Sequence, residues 1–165
     1  MMPHRSCAVE IHNKSYCYTL TNPRVFIENG CCDVPLAPSV GPSSTANAFF
    51  NKTTGAATGA VGVFTYDLFN PDLHDYSHIM AVMYSVPFDR VLHHNWFAVG
   101  IFERSTECNY ALYDMMYNAT ENGFVRAKGE GSYVSYEGTY INVRASMSEE
   151  CEAVLKVEVS DTGMY

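Results

Sequence analysis

Over most of the chain, apolar and polar positions alternate with a period of two, or β-branched and aromatic residues run together, in short stretches bounded by turn formers. These stretches are Cys7 to His12, Tyr16 to Leu20, Arg24 to Glu28, Ala46 to Asn51, Gly59 to Phe69, His78 to Val86, Trp96 to Phe102, Thr139 to Ala145 and Ala153 to Val159. Asn29-Gly30, Pro35 to Pro38, Pro42-Ser43, Asn70-Pro71 and Asn122-Gly123 punctuate them. Side chains of a strand point alternately to its two faces, so each alternating stretch reads as a strand with one buried side. The pattern predicts an all-β dominated fold, a single β-sandwich over residues 1–165 with one or two short flanking helices. The chain contains neither an internal repeat nor a low-complexity tract.

STECNYALYDMMYN, from Ser105, departs from this pattern. A Ser-Thr pair able to cap a helix opens it, and no glycine or proline interrupts the following three turns. On a helical wheel Tyr110, Tyr113 and Tyr117 share one face and Cys108, Leu112 and Met115 the other, with Met116 between them. A half-exposed flank of a packed helix and a ligand surface both suit such a tyrosine face.

Ten basic against eighteen acidic residues give a net charge of -8, which repels nucleic acid and anionic membranes alike. The densest basic stretch, Arg126 to Lys128, is followed closely by Glu130, so no nucleic acid partner is expected. At 165 residues there is no room for a second domain. MMPHRSCAVE lacks the apolar core of a signal peptide and no run could span a bilayer as a helix, so a soluble chain is expected. Six cysteines without a leader predict mostly buried thiols rather than a disulfide framework. No cofactor is implied.

Catalytic and metal motifs are missing. Adjacent His93 and His94 point in opposite directions on an extended backbone, Cys31-Cys32 has no second pair at ligand spacing, and no G-x-S-x-G elbow or phosphate loop occurs. The expectation is neither an enzyme nor a metal site. SVPFDRVLHHNWF, residues 85–97, instead collects Phe88, Val91, Leu92, the only tryptophan and Phe97 around an Asp-Arg pair and two histidines. Aromatic side chains with apolar bodies and polar edges favour a membrane interface. A loop presenting Phe88, Leu92 and Trp96 suits insertion into headgroups, and the faces of Tyr113 and Tyr117 suit a quaternary ammonium. A choline lipid, being zwitterionic, meets no repulsion from the net charge. The alternation of strand side chains also requires Trp96 or Phe97 to pack inward.

ATGAVGVFTYDLF (57–69), AVMYSVPFD (81–89), NWFAVGIF (95–102) and ALYDMMYN (111–118) resemble the actinoporins, the pore-forming cytolysins of sea anemones. Through TYDLF, NWFAVGI and GFVR followed by EAVLKVEV the chain is more similar still to vertebrate, notably fish, actinoporin-like proteins. The resemblance covers Arg5 to Val159. It implies a sandwich with two short helices that binds sphingomyelin through a phosphocholine pocket and an aromatic loop. It further implies oligomerisation on the membrane into a cation-permeable, haemolytic pore through an N-terminal amphipathic helix, in a protein secreted, in cnidarians from nematocysts, against target cell membranes.

Carried over by position, the resemblance places Val61, Ser85, Pro87 and Tyr117 in the headgroup pocket, with Asn29 where serine is common. The chain also departs from the family. Leu92 stands at a membrane-inserting tryptophan, His93 at a choline-contacting tyrosine, and Leu112 and Met116 at pocket tyrosines. A protonated His93 would repel the ammonium, so an altered and pH-sensitive lipid preference is expected. Residues 1–5 read as a short tail, and MMPH is too short for the family's helix. The alternatives are therefore a non-lytic module for a lipid headgroup or a glycan, since fungal fruit-body lectins resemble the same sandwich, and a cytoplasmic protein-interaction partner.

Overall fold

The computed structural model describes residues 4–120 and 122–163. Its elements in chain order are β1 (Ser6–Asn13), β2 (Thr19–Asn29), β3 (Cys31–Val34), β4 (Ser39–Val40), β5 (Ser44–Asn51), β6 (Ala60–Asn70), β7 (Asp75–Val86), β8 (Trp96–Glu103), α1 (Tyr110–Asn118), β9 (Phe124–Lys128), β10 (Val134–Glu137), β11 (Ile141–Met147) and β12 (Glu152–Asp161). They form two six-stranded sheets, ordered β10-β11-β12-β1-β5-β3 and β4-β2-β6-β7-β8-β9. Every pairing is antiparallel except that of β1 with β12.

The main core lies between the sheets. Val9 and Ile11 of β1, Phe50 of β5 and Val143, Leu155 and Val157 of the first sheet meet Phe64, Tyr66, Val82, Tyr84 and Phe97 of the second. Phe50 stacks on the Tyr84 ring at 4.6 Å between centroids. Residues of the opposite parity on the second sheet, Val63, Ala81, Met83 and Ala98, form a smaller cluster with Leu112, Met116 and Phe124. The helix thus covers the outer face of that sheet, which is why β6 and β7 are buried on both sides and read as apolar runs.

Several elements differ from the expectation. The helix begins at Tyr110 rather than Ser105, because the Asn109 side chain accepts from the Leu112 amide (3.1 Å) and caps it there. It is the only α-helix among the described residues. Tyr16 to Leu20 and Arg24 to Glu28 merge into β2, whose pairing with β6 slips across Asn22 and Pro23, Asn22 having φ 49°. Strands β3, β4, β9 and β10 were not legible, being segments of two to five residues, too short to show a period. Of the tail expected at residues 1–5, residues 1–3 lie outside the described residues, and Arg5 is buried rather than loose. The six thiols are unpaired, but only Cys7 is buried and Cys31 is exposed, so they are not the interior set expected.

Gly100 shows how closely β9 approaches β8 within the second sheet. A Cβ there would lie 2.1 Å from the Gly123 carbonyl oxygen and 2.9 Å from the Phe124 Cα, both backbone atoms of the adjoining strand. Gly100→Ala should therefore push β9 away from β8 and lower unfolding stability by about 1–3 kcal/mol, read as a shifted urea midpoint. An unchanged midpoint would show that β9 docks loosely.

Candidate functional site

The outer face of the second sheet carries a row of side chains in direct register at one end of its strands. Asn29 of β2 pairs with Val61 of β6, Val61 with Ser85 of β7, Ser85 with Trp96 of β8 and Trp96 with Lys128 of β9. Partners across a sheet share a face, so the five side chains form a line about 19 Å long at the usual strand spacing. Val61 and Ser85 are buried, Asn29 and Trp96 half-buried and Lys128 exposed. The Lys128 ammonium sits 5.9 Å from the Trp96 ring centre. Phe97 packs inward and Trp96 faces outward, as strand alternation requires.

The helix borders this row. Tyr113 and Tyr117 stack at 5.8 Å between centroids, and Phe26 of β2 holds Tyr110 at 6.1 Å and Tyr113 at 6.4 Å. Burial, then the Tyr117 hydroxyl and the Glu28 carboxylate, push the Tyr113 phenol above its ordinary range. Arg126 secures the other end of the helix by donating to the carbonyls of Met116 (3.0 Å) and Ala119 (2.8 Å). Leu112 and Met116 are buried, at 3 % and 0 % exposure, so they form the floor that seats the tyrosines instead of a face open to solvent.

The loop that follows β7 projects from the same end of the sheet. The Asp89 carboxylate accepts from the amides of Val91 (3.0 Å) and Leu92 (3.1 Å) and closes one tight turn. Its tip exposes Val91 at 94 % and Leu92 at 74 %, with His93 and His94 also exposed. Phe88 stands back from the tip. The buried Arg5 guanidinium donates to the carbonyls of Pro87 (3.0 Å) and Phe88 (2.7 Å) and lies 5.2 Å from the Phe88 ring centre. On the other stem Asn95 donates to the Ser148 and Glu150 carbonyls, both at 2.9 Å, while Arg90 donates to Asn95 and to the Glu149 carbonyl. Gly59 permits the close approach of the β6 lead-in, since a Cβ there would meet the Val86 carbonyl oxygen at 2.1 Å.

The structure therefore brings Asn29, Val61, Ser85 and Trp96 into one row, sets Tyr113 and Tyr117 on the helix edge beside it, and puts Pro87, Phe88, Leu92 and His93 on the adjoining loop. Sequence reasoning missed Arg5, Val91, Asn95 and Lys128. Only strand register could have found Lys128. The exposure of Val91 followed from the turn that Asp89 closes, and Asp89 was visible.

Residues 3–161 match the family described as sea anemone cytotoxic protein. The chain belongs to this family, the actinoporins. It is 32 % identical over 160 residues to DELTA-stichotoxin-Hcr4b of Radianthus crispa, covering 94 % of this chain and 82 % of that toxin. Bryoporin of Physcomitrium patens is 26 % identical, with 86 % and 76 % covered. Among solved structures the lipid binding protein Nakanori superposes with a TM-score of 0.70 at 14 % identity, over 94 % of this chain and 71 % of its own, a likeness of fold. No helix among the described residues of this actinoporin is long and apolar enough to cross a membrane.

Proposed function

We propose that this actinoporin acts on target membranes as a pore-forming cytolysin and recognises the phosphocholine headgroup of sphingomyelin on the outer face of its second sheet. The supporting observation is the register row from Asn29 to Lys128 flanked by the stacked Tyr113 and Tyr117. The tyrosine faces take the choline by cation-π attraction, Ser85 and Asn29 offer hydrogen bonds, and Val61 and Pro87 form the apolar wall. Val91 and Leu92 enter the headgroup layer from the fixed loop, with Trp96 and Lys128 behind them at its edge. Oligomerisation on the membrane and cation flow belong to the same proposal.

Co-sedimentation with choline-lipid vesicles, with and without sphingomyelin, tests it. Tyr113→Ala, Tyr117→Ala protein should lose about 1 kcal/mol per ring, so that half-saturating lipid rises more than about tenfold. Sphingomyelin-independent pelleting, or pelleting that the variant keeps, would remove the headgroup assignment. Dye release from the same vesicles separates lysis from binding alone. His93 faces solvent at the loop, and the pH-sensitive preference is checked by comparing vesicle binding at about pH 5.5 and 7.5. Equal binding at both would exclude it.

A further inference from the structure

β6, β7 and β8 carry the row at one end, and at the other end they open into a cavity of about 640 Å³ that the membrane reading does not use. Val61 and Leu68 mark the two ends of β6, about 23 Å apart at strand rise, so the cavity is a separate place on the molecule. Its volume lies in the range of small-molecule sites. The β10–β11 hairpin forms one wall with Tyr136, Glu137 and Tyr140, and the start of β7 and end of β8 form the other with Asp75, His78 and Glu103.

The lining is complementary to positive charge in two ways. It contains three carboxylates and neither lysine nor arginine, and its one basic group, His78, has Nε2 3.8 Å from the Glu103 carboxylate. Asp75 is already engaged, accepting from the Ser77 hydroxyl (2.6 Å) and the Tyr18 hydroxyl (3.1 Å), which leaves Glu103 and Glu137 toward the opening. Both of these are exposed. The aromatic lining matches them. Elsewhere an arginine covers a surface ring, Arg104 over Tyr76 at 4.4 Å and Arg144 over Tyr133 at 4.0 Å. Among the described residues no cation or second ring covers Tyr140, which is 59 % exposed, whereas the half-buried Tyr136 packs against the main core. Carboxylates without lysine or arginine beside an open π face suit a group that is both charged and weakly hydrated. A strongly hydrated metal ion would gain little from the ring, and a neutral ligand would gain nothing from the negative charge.

We propose that this cavity binds an organic cation, an alkylammonium or guanidinium group carried by a small amine or by a basic peptide side chain. The ammonium or guanidinium sits between Glu103 and Glu137 with its alkyl stem against Tyr140. This proposal is independent of the headgroup reading, because its site, its ligand and its test involve no lipid.

The test follows amide chemical shifts of the vesicle-free protein at about pH 8, where an ordinary imidazole is neutral, on addition of spermidine, Gly-Lys-Gly or N-acetylglucosamine. Spermidine should move the amides of residues 101–103 and 136–141, and raising salt from about 50 to about 300 mM should weaken it. Glu103→Gln, Glu137→Gln protein should bind at least about tenfold more weakly, and Tyr140→Leu protein, with both carboxylates intact, several-fold more weakly. Shifts with spermidine alone identify a small amine, and shifts with the peptide as well identify a basic side chain of a partner. Either result upholds the cation site. Silence with both cations overturns it, as does binding that the glutamine variants leave unchanged or N-acetylglucosamine binding of equal strength. Thermal melts of each variant confirm folding.

Discussion

Val91→Asp, Leu92→Asp protein should remain folded and bind sphingomyelin vesicles about a hundredfold more weakly than the unaltered chain. The two side chains are exposed at 94 % and 74 % and hold up no part of the core, so their removal costs the fold little. In the bound state each would bury apolar area worth roughly 1.5 kcal/mol, and a carboxylate in its place would have to be desolvated as well. Because the turn closed by Asp89 and the contacts of Arg5, Arg90 and Asn95 fix the stems, the tip would meet a bilayer with little ordering cost. Vesicle titration gives the affinity and near-ultraviolet circular dichroism the fold. Wild-type affinity in a folded variant would show that another surface meets the membrane.

Asn95→Ala should lower unfolding stability by about 2–3 kcal/mol, a large share of what a domain of this size possesses. The side chain is 1 % exposed, and its amide donates to the Ser148 and Glu150 carbonyls while its oxygen accepts from Arg90. Truncation leaves those partners without a replacement in a site that water does not readily enter. Asn95→Asp would keep the acceptor for Arg90 and present a negative charge to two carbonyl oxygens, so it should fare no better. Urea denaturation reads the loss as a lower midpoint. A midpoint equal to that of the unaltered protein would mean that the loop root is held mainly from the Arg5 side. Because Asn95 also fixes the loop, the alanine variant should bind vesicles more weakly even where it is fully folded.

Strands with strong alternation were legible because one local pattern suffices to specify a half-buried face. β1, β5, β8 and β12 fall close to their expected positions. β9 and β10 were not, since FVRAK and VSYE are too short to show a period and exist as strands only beside β8 and β11. The helix start was misplaced for a related reason. Ser105-Thr106 and Asn109 are both capping residues by type, and the packing of Leu112 and Met116 on Val63, Met83 and Ala98 decided between them.

The candidate site divides in the same way. Tyr113 and Tyr117 could be paired from helical spacing, and the apolar loop was visible as a run of residues that no strand pattern absorbs. Which of the loop residues face outward was not visible. Arg5, more than eighty positions away, donates to the backbone at Phe88 and packs on its ring, while the turn at Asp89 lifts Val91 and Leu92. The cavity between the β10–β11 hairpin and the ends of β7 and β8 left no local trace at all, because its carboxylates and rings come from separate segments around Asp75, Glu103 and Glu137.

By itself, then, the sequence determined the sandwich, the family, the helix with its tyrosine edge and the segment that carries the exposed loop. Each of these rests on residues that are neighbours along the chain or on one short periodic face. Only the tertiary structure decided that Asn29, Val61, Ser85, Trp96 and Lys128 share a row, that Phe88 is clamped while Leu92 is free, and that an acidic cavity lies at the opposite end. Those facts depend on strand register and on contacts between distant segments, and a one-residue change of register would have turned every side chain of the row to the other face.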